Sequence, residues 1–171
     1  MTIDPHVIQA FAKSIGVYQF MNTTWGWPLV ESLHFVGLSM LLGTVGVFDL
    51  RVLGLGRGVS MATLHRLLPL GVAAYALSMA TGSLFIMAMP DQYLFNPAFQ
   101  LKIGCMIVAG INVIAYFAIA SRRVRAAGPD DDALLAAKII AALSLACWIA
   151  VIIFGRVITL FRPPWHWCFW C

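Results

Sequence analysis

Among the ionisable side chains inside otherwise apolar runs of this sequence, four stand toward the same side of their runs: Glu31, His34, Lys102 and Arg156. An ionisable group in hydrocarbon costs a few kcal/mol on insertion scales, so it needs a partner or a task. Glu31 and His34 are three residues apart, which puts them on one helix face a turn or two inside their run. Lys102 enters the third apolar run from the same end, and Arg156 lies at the corresponding end of the fourth. The four are therefore expected to converge at similar depth. A neutral imidazole in an apolar helix bundle is a natural axial ligand for haem iron or chlorophyll magnesium, while Lys and Arg at its rim can pair with propionates. The same residues also read as structural groups, with Lys102 and Arg156 snorkelling to the interface and His34 hydrogen-bonded in the core.

The neighbours of His34 carry the same two readings. Gly37 lies one turn on at the same face, with Gly43 and Gly46 beyond it. Missing side chains leave room for a macrocycle, and they also let membrane helices pack closely. Gly82, Gly104 and Gly110 share that ambiguity. His65 falls most of a membrane thickness away, so it cannot ligate the same metal. Met79, Met87 and Met89 are candidates for a second axial ligand, or ordinary core residues.

The elements that must position these groups are apolar runs of membrane-spanning length: about Trp27 to Leu50, Leu67 to Met89, Phe99 to Ala120 and Leu134 to Phe161. Their length and scarcity of breakers favour helices, and the short Gly- and Pro-bearing connections predict an up-down four-helix bundle. The expected division is an N-terminal segment over 1–24, a transmembrane domain over 25–161 and a tail over 162–171. In the first segment Asp4 can cap a helix with Pro5 at its first position. Val7, Ile8, Phe11 and Ile15 then recur at helical spacing, which predicts an amphipathic helix lying in the membrane interface.

Composition agrees with this architecture and excludes a water-soluble globule. Of 171 residues, 61% are hydrophobic and 11% charged, and the mean hydropathy is +0.89, against roughly a quarter charged in an ordinary soluble domain. The net charge of +4 does not indicate nucleic acid, because Lys and Arg sit mostly beside the apolar runs, where they act as topology signals. Arg51, Arg57, Arg66, Arg122, Arg123, Arg125 and Lys138 fall on one side; Lys13, Lys102, Arg156 and Arg162 fall on the other. In a bacterial inner membrane that asymmetry places both termini in the periplasm, although Asp130, Asp131 and Asp132 weaken the contrast. The first 20 residues lack the pattern of a cleavable signal.

The run Trp27-Pro28-Leu29-Val30-Glu31-Ser32-Leu33-His34-Phe35-Val36-Gly37, with Phe48-Asp49-Leu50-Arg51-Val52-Leu53-Gly54 and Asn96-Pro97-Ala98-Phe99-Gln100-Leu101-Lys102, resembles a family of uncharacterised bacterial four-helix membrane proteins. The resemblance covers about residues 25 to 160. More distantly, a first-helix His followed by Gly and a third-helix Phe-x-x-Lys are similar to the copper-resistance D proteins and the HemJ-type protoporphyrinogen oxidases. The latter resemblance implies haem b, with the functional His and Lys matched by His34 and Lys102.

The tail Trp165-His166-Trp167-Cys168-Phe169-Trp170-Cys171 matches nothing in that family. His166, Cys168 and Cys171 can hold copper or zinc, and Cys168 and Cys171 can also form a disulfide. The alternative is interfacial anchoring by the three Trp with idle thiols. Cys105 and Cys147 read as small core residues. Two functions are expected from these residues: a b-type haem protein for electron transfer or redox sensing near the periplasmic face, with a redox partner, or a non-catalytic accessory subunit of a larger membrane complex.

Overall fold

The structure, a computed structural model, describes residues 4–126 and 133–161. The tail candidates His166, Cys168 and Cys171, and Asp130 to Asp132, lie outside the described residues. Every regular element among the described residues is helical. Four helices are long and apolar enough to cross a membrane: Gly26–Val52, Met61–Ala88, Pro97–Val124 and Leu135–Leu160. They are called the first to fourth spans below. Each agrees with its expected run to within a few residues, except that the second starts six residues before Leu67, at Met61. There the Ser60 hydroxyl accepts from the Thr63 amide and caps a short helical turn, Met61–His65.

The N-terminal helix runs Pro5–Ser14, and the Asp4 carboxylate accepts from the His6 amide at its start. Ala12 is fully buried against the rest of the protein, while Val7, Phe11 and Ile15 are at least half exposed. A helix that turns an apolar stripe outward in this way is suited to contact with lipid.

Consecutive spans pack as two pairs, first with second and third with fourth, and the fourth also packs on the Asp49 end of the first. In the first pair, Val30 packs in one cluster with Phe85, and Leu41 in another with Ala74. A Cβ on Gly37 would meet Ser78 Oγ at 2.6 Å, and one on Gly71 would meet Thr44 Oγ1 at 2.8 Å. Each step up the first span is matched by an equal step down the second. The first span's seam thus follows positions 30, 34, 37, 41 and 44, alternating by four and three as close helix packing requires.

The second and third spans barely touch along their middles. Their seam is closed at one end by Met61 and Leu64 packing in the cluster that holds Val124. At the other end Tyr93, from the short helix Pro90–Leu94, packs with Phe99. Asn96 fixes that end: its Oδ1 accepts from the Ala98 and Phe99 amides, while its Nδ2 donates to the carbonyls of Ile158 and Phe161 at the end of the fourth span. Between the two closures lies an open cleft. Two π-turns flank it, Leu42–Gly46 in the first span and Tyr116–Ala120 in the third.

Candidate functional site: His34 and the cleft between the second and third spans

His34 sits on the seam of the first span, half-buried, with its ring edge-on to Phe85 at 5.6 Å between centroids. Its Nδ1 is 2.8 Å from Thr81 Oγ1. The Thr81 hydroxyl has one proton, and that proton goes to the carbonyl of Leu77 at 2.8 Å, as is usual for a threonine inside a helix. Thr81 therefore accepts from His34, Nδ1 carries the ring hydrogen, and Nε2 presents a lone pair. Nε2 has no hydrogen-bond partner among the described residues. Gly82 lies beside the ring: a Cβ there would come into ordinary contact with His34 Cε1, at 3.6 Å.

His34 and Lys102 line one cavity of about 60 Å³, together with Met79, Gly82, Met106 and Trp148. Lys102 reaches it across the open face of Gly155, where its Nζ lies 3.5 Å from the position a Cβ would take. Lys102 has no hydrogen-bond or ion-pair partner among the described residues. A cation and an imidazole lone pair thus face one small space at the His34 end of the cleft. Of the candidate methionines only Met79 lines it.

The expected convergence of four ionisable groups is formed by these two. Glu31 is exposed and has no partner among the described residues, so its expected pairing with Lys102 or Arg156 is not made. The reason is helical phase. Val30 and His34 occupy the seam, and Glu31, one residue past Val30, is rotated off it by about 100°. Arg156 is exposed as well, and only its backbone carbonyl is engaged, by Thr159. Gly37 does not line the cavity: it is buried against Ser78, where its missing Cβ lets the first two spans approach. His65 lies at the other end, edge-on to Phe48 at 6.4 Å.

Sequence reasoning missed Thr81, and it passed over Asp49 as a site residue. Asp49 is 5% exposed and lines a larger, mostly apolar cavity of about 240 Å³ in the Asp49 half of the cleft. Leu41, Tyr75, Met106 and Trp148 border both cavities. The signal for Asp49 was available: it is an acid inside an apolar run, as Glu31 is. No group of three or more His, Cys, Asp or Glu able to hold a metal ion occurs among the described residues. Comparison of the chain with protein-family models, with curated proteins and with solved structures gives no match.

Proposed function

We propose that this chain is an inner-membrane protein that takes a b-type haem at His34, for electron transfer or redox sensing near the periplasmic face. The observation that carries the reading is the placement of the His34 ring: it lines the space shared with Lys102, and its Nδ1 lies 2.8 Å from a Thr81 hydroxyl that has backbone carbonyls to take its proton, which assigns the ring hydrogen to Nδ1 and the lone pair to Nε2. That is the tautomer an axial imidazole needs, with a hydrogen bond from the distal ring nitrogen to orient it. Haem supplies reversible one-electron chemistry when bound. Thr81 would hold the His34 ring in place, and Lys102 would pair with an anionic substituent of the macrocycle.

The donors suit the group, and the room for it is of a particular kind. A cavity of about 60 Å³ admits only an edge of a macrocycle. The remainder would occupy the cleft between the second and third spans, which no helix packing closes along its middle. The likeness of the His34 and Lys102 motifs to the HemJ-type pattern points the same way. A reduced-minus-oxidised optical spectrum of protein purified from native membranes tests the reading. Sharp α and β bands with about one haem per chain are expected, and a featureless spectrum in lipid-preserving preparations rejects haem.

A second reading is favoured by Glu31. A carboxylate turned outward near the start of a span, without a partner among the described residues, suits contact with another protein. On this reading the chain is an accessory subunit, and it would co-purify with larger partners while carrying no chromophore.

For either function we propose an up-down bundle with the helix Pro5–Ser14 in the outer interface and both termini periplasmic. The Lys and Arg asymmetry and the exposed stripe Val7, Phe11 and Ile15 support this arrangement. A reporter fused after Arg125 should give a cytoplasmic signal; a periplasmic one reverses the orientation.

A further inference from the structure

We propose that the cavity at Asp49 binds a hydroxylated single-ring aromatic molecule that enters from the bilayer. This proposal does not require haem at His34, and the two cavities share Leu41, Tyr75, Met106 and Trp148.

Size sets the first limit. A cavity of about 150 Å³ lined by apolar side chains is large enough to bind benzene; this one, at about 240 Å³, takes a ring with substituents. The walls are suited to a ring as well. Phe48 and Tyr116 meet edge to face at 5.5 Å, and Tyr75 and Trp148 at 5.9 Å, and all four line the space. Such faces and edges accept a further aromatic ring in offset or T-shaped contact.

Two buried polar atoms on the lining lack hydrogen-bond partners among the described residues. Asp49 is 5% exposed and Trp148 7%, and neither Asp49 Oδ2 nor Trp148 Nε1 has a hydrogen-bond partner among the described residues. The Ser144 hydroxyl donates a hydrogen bond to the Asp49 carboxyl, which leaves Oδ2 as the unanswered oxygen. Leaving a buried donor and a buried acceptor unmade costs about 1–3 kcal/mol each, so a ligand that answers both gains what the empty cavity loses. The carboxyl and the indole N–H make complementary demands. A phenolic hydroxyl has both capacities, since it can donate to a carboxyl and accept from an indole N–H. An ammonium group would satisfy Asp49 and leave the Trp148 N–H unanswered, since it has no acceptor.

The route is visible on the exposed side of the cleft. Val72 on the second span and Val113 and Phe117 on the third are lining residues that are also exposed, at 68%, 44% and 55%. Gly110 stands between them with nothing within 4 Å of its would-be Cβ. The mouth is thus apolar and opens where lipid lies against the spans, which selects a ligand dissolved in the membrane. The π-turns at Leu42–Gly46 and Tyr116–Ala120 contribute Val45, Tyr116 and Phe117 to the lining, and such turns occur often at functional sites.

One phenolic chemistry has two sources, a tailed membrane quinol and a small free phenol. The test is calorimetric titration of the full chain in lipid nanodiscs, with empty discs subtracted, using 4-methylphenol, toluene, 4-methylbenzylamine and decylhydroquinone. Saturable 4-methylphenol binding is expected, weakened about tenfold by Asp49→Leu while toluene binding is unchanged. Gly110→Phe, at a position with space for the ring, should block every probe without disturbing the fold. Partition-corrected affinity higher for decylhydroquinone than for 4-methylphenol identifies a tailed quinol; equal affinities identify free phenols. The proposal fails if 4-methylphenol binds no better than toluene, if both variants leave its affinity unchanged, or if the amine binds more tightly than the phenol.

Discussion

His34→Ala is expected to yield a folded protein that retains no haem, whereas His65→Ala retains the full complement. Among the described residues the alanine removes the only imidazole on the cavity shared with Lys102, while His65 lies at the opposite end of the spans against Phe48. Pyridine haemochrome content per mole of protein measures the effect directly. Thr81→Val supplies the intermediate case. It keeps the volume and removes the acceptor for His34 Nδ1–H, and losses of such outer partners typically cost ten- to a hundredfold in metal affinity. A stability effect alone would not grade the three variants in this order. Wild-type haem content in His34→Ala would eliminate His34 as the ligand, and an apo wild type would leave the accessory-subunit reading.

Gly37→Leu is expected to damage the packing of the first span on the second. A Cβ at this position already meets Ser78 Oγ at 2.6 Å and the Ala74 carbonyl oxygen at 3.1 Å. The hydroxyl can rotate away, but the carbonyl belongs to the backbone of the second span, so three further carbons force the two helices apart. Overpacking of this kind costs about 1–3 kcal/mol. The same separation pulls His34 from Thr81, since both lie on the seam one turn from Gly37 and Ser78. Gly43→Leu is the matched control, because nothing lies within 4 Å of its would-be Cβ. Reversible unfolding in mixed micelles should separate the two variants. Equal stability would mean that Gly37 does not set the approach of the spans.

The spans were legible because the bilayer imposes a length on any apolar helix, and Asp4 with Pro5 marked the N-terminal helix by capping chemistry alone. His34 and Lys102 came to one cavity as their depths suggested. What the sequence concealed was rotation and pairing. Glu31 and His34 share a helix face in the loose sense of spacing, yet the seam is narrow enough to include one and exclude the other. The π-turn at Leu42–Gly46 inserts an extra residue between His34 and Asp49, so no single helical period relates the two. Short connections identify neighbours only for the spans they join, and the connection from second to third forms its own helix, Pro90–Leu94, instead of drawing those spans together. The contact of the fourth span with the first depends on distant residues, which local pattern cannot specify.

That last contact also fixes an order of biogenesis. Each sequential pair closes across a short link, so the first two helices can leave the insertion machinery already zipped along Gly37 and Gly71 while the second pair is still being synthesised. The Asp49 neighbourhood then waits, with one wall missing, until Ala137 and Ala141 arrive on the fourth span. A buried acid is thereby kept in contact with lipid or escorting protein until that span is inserted, and nascent chains stalled before the fourth span should be the ones that membrane quality control recognises.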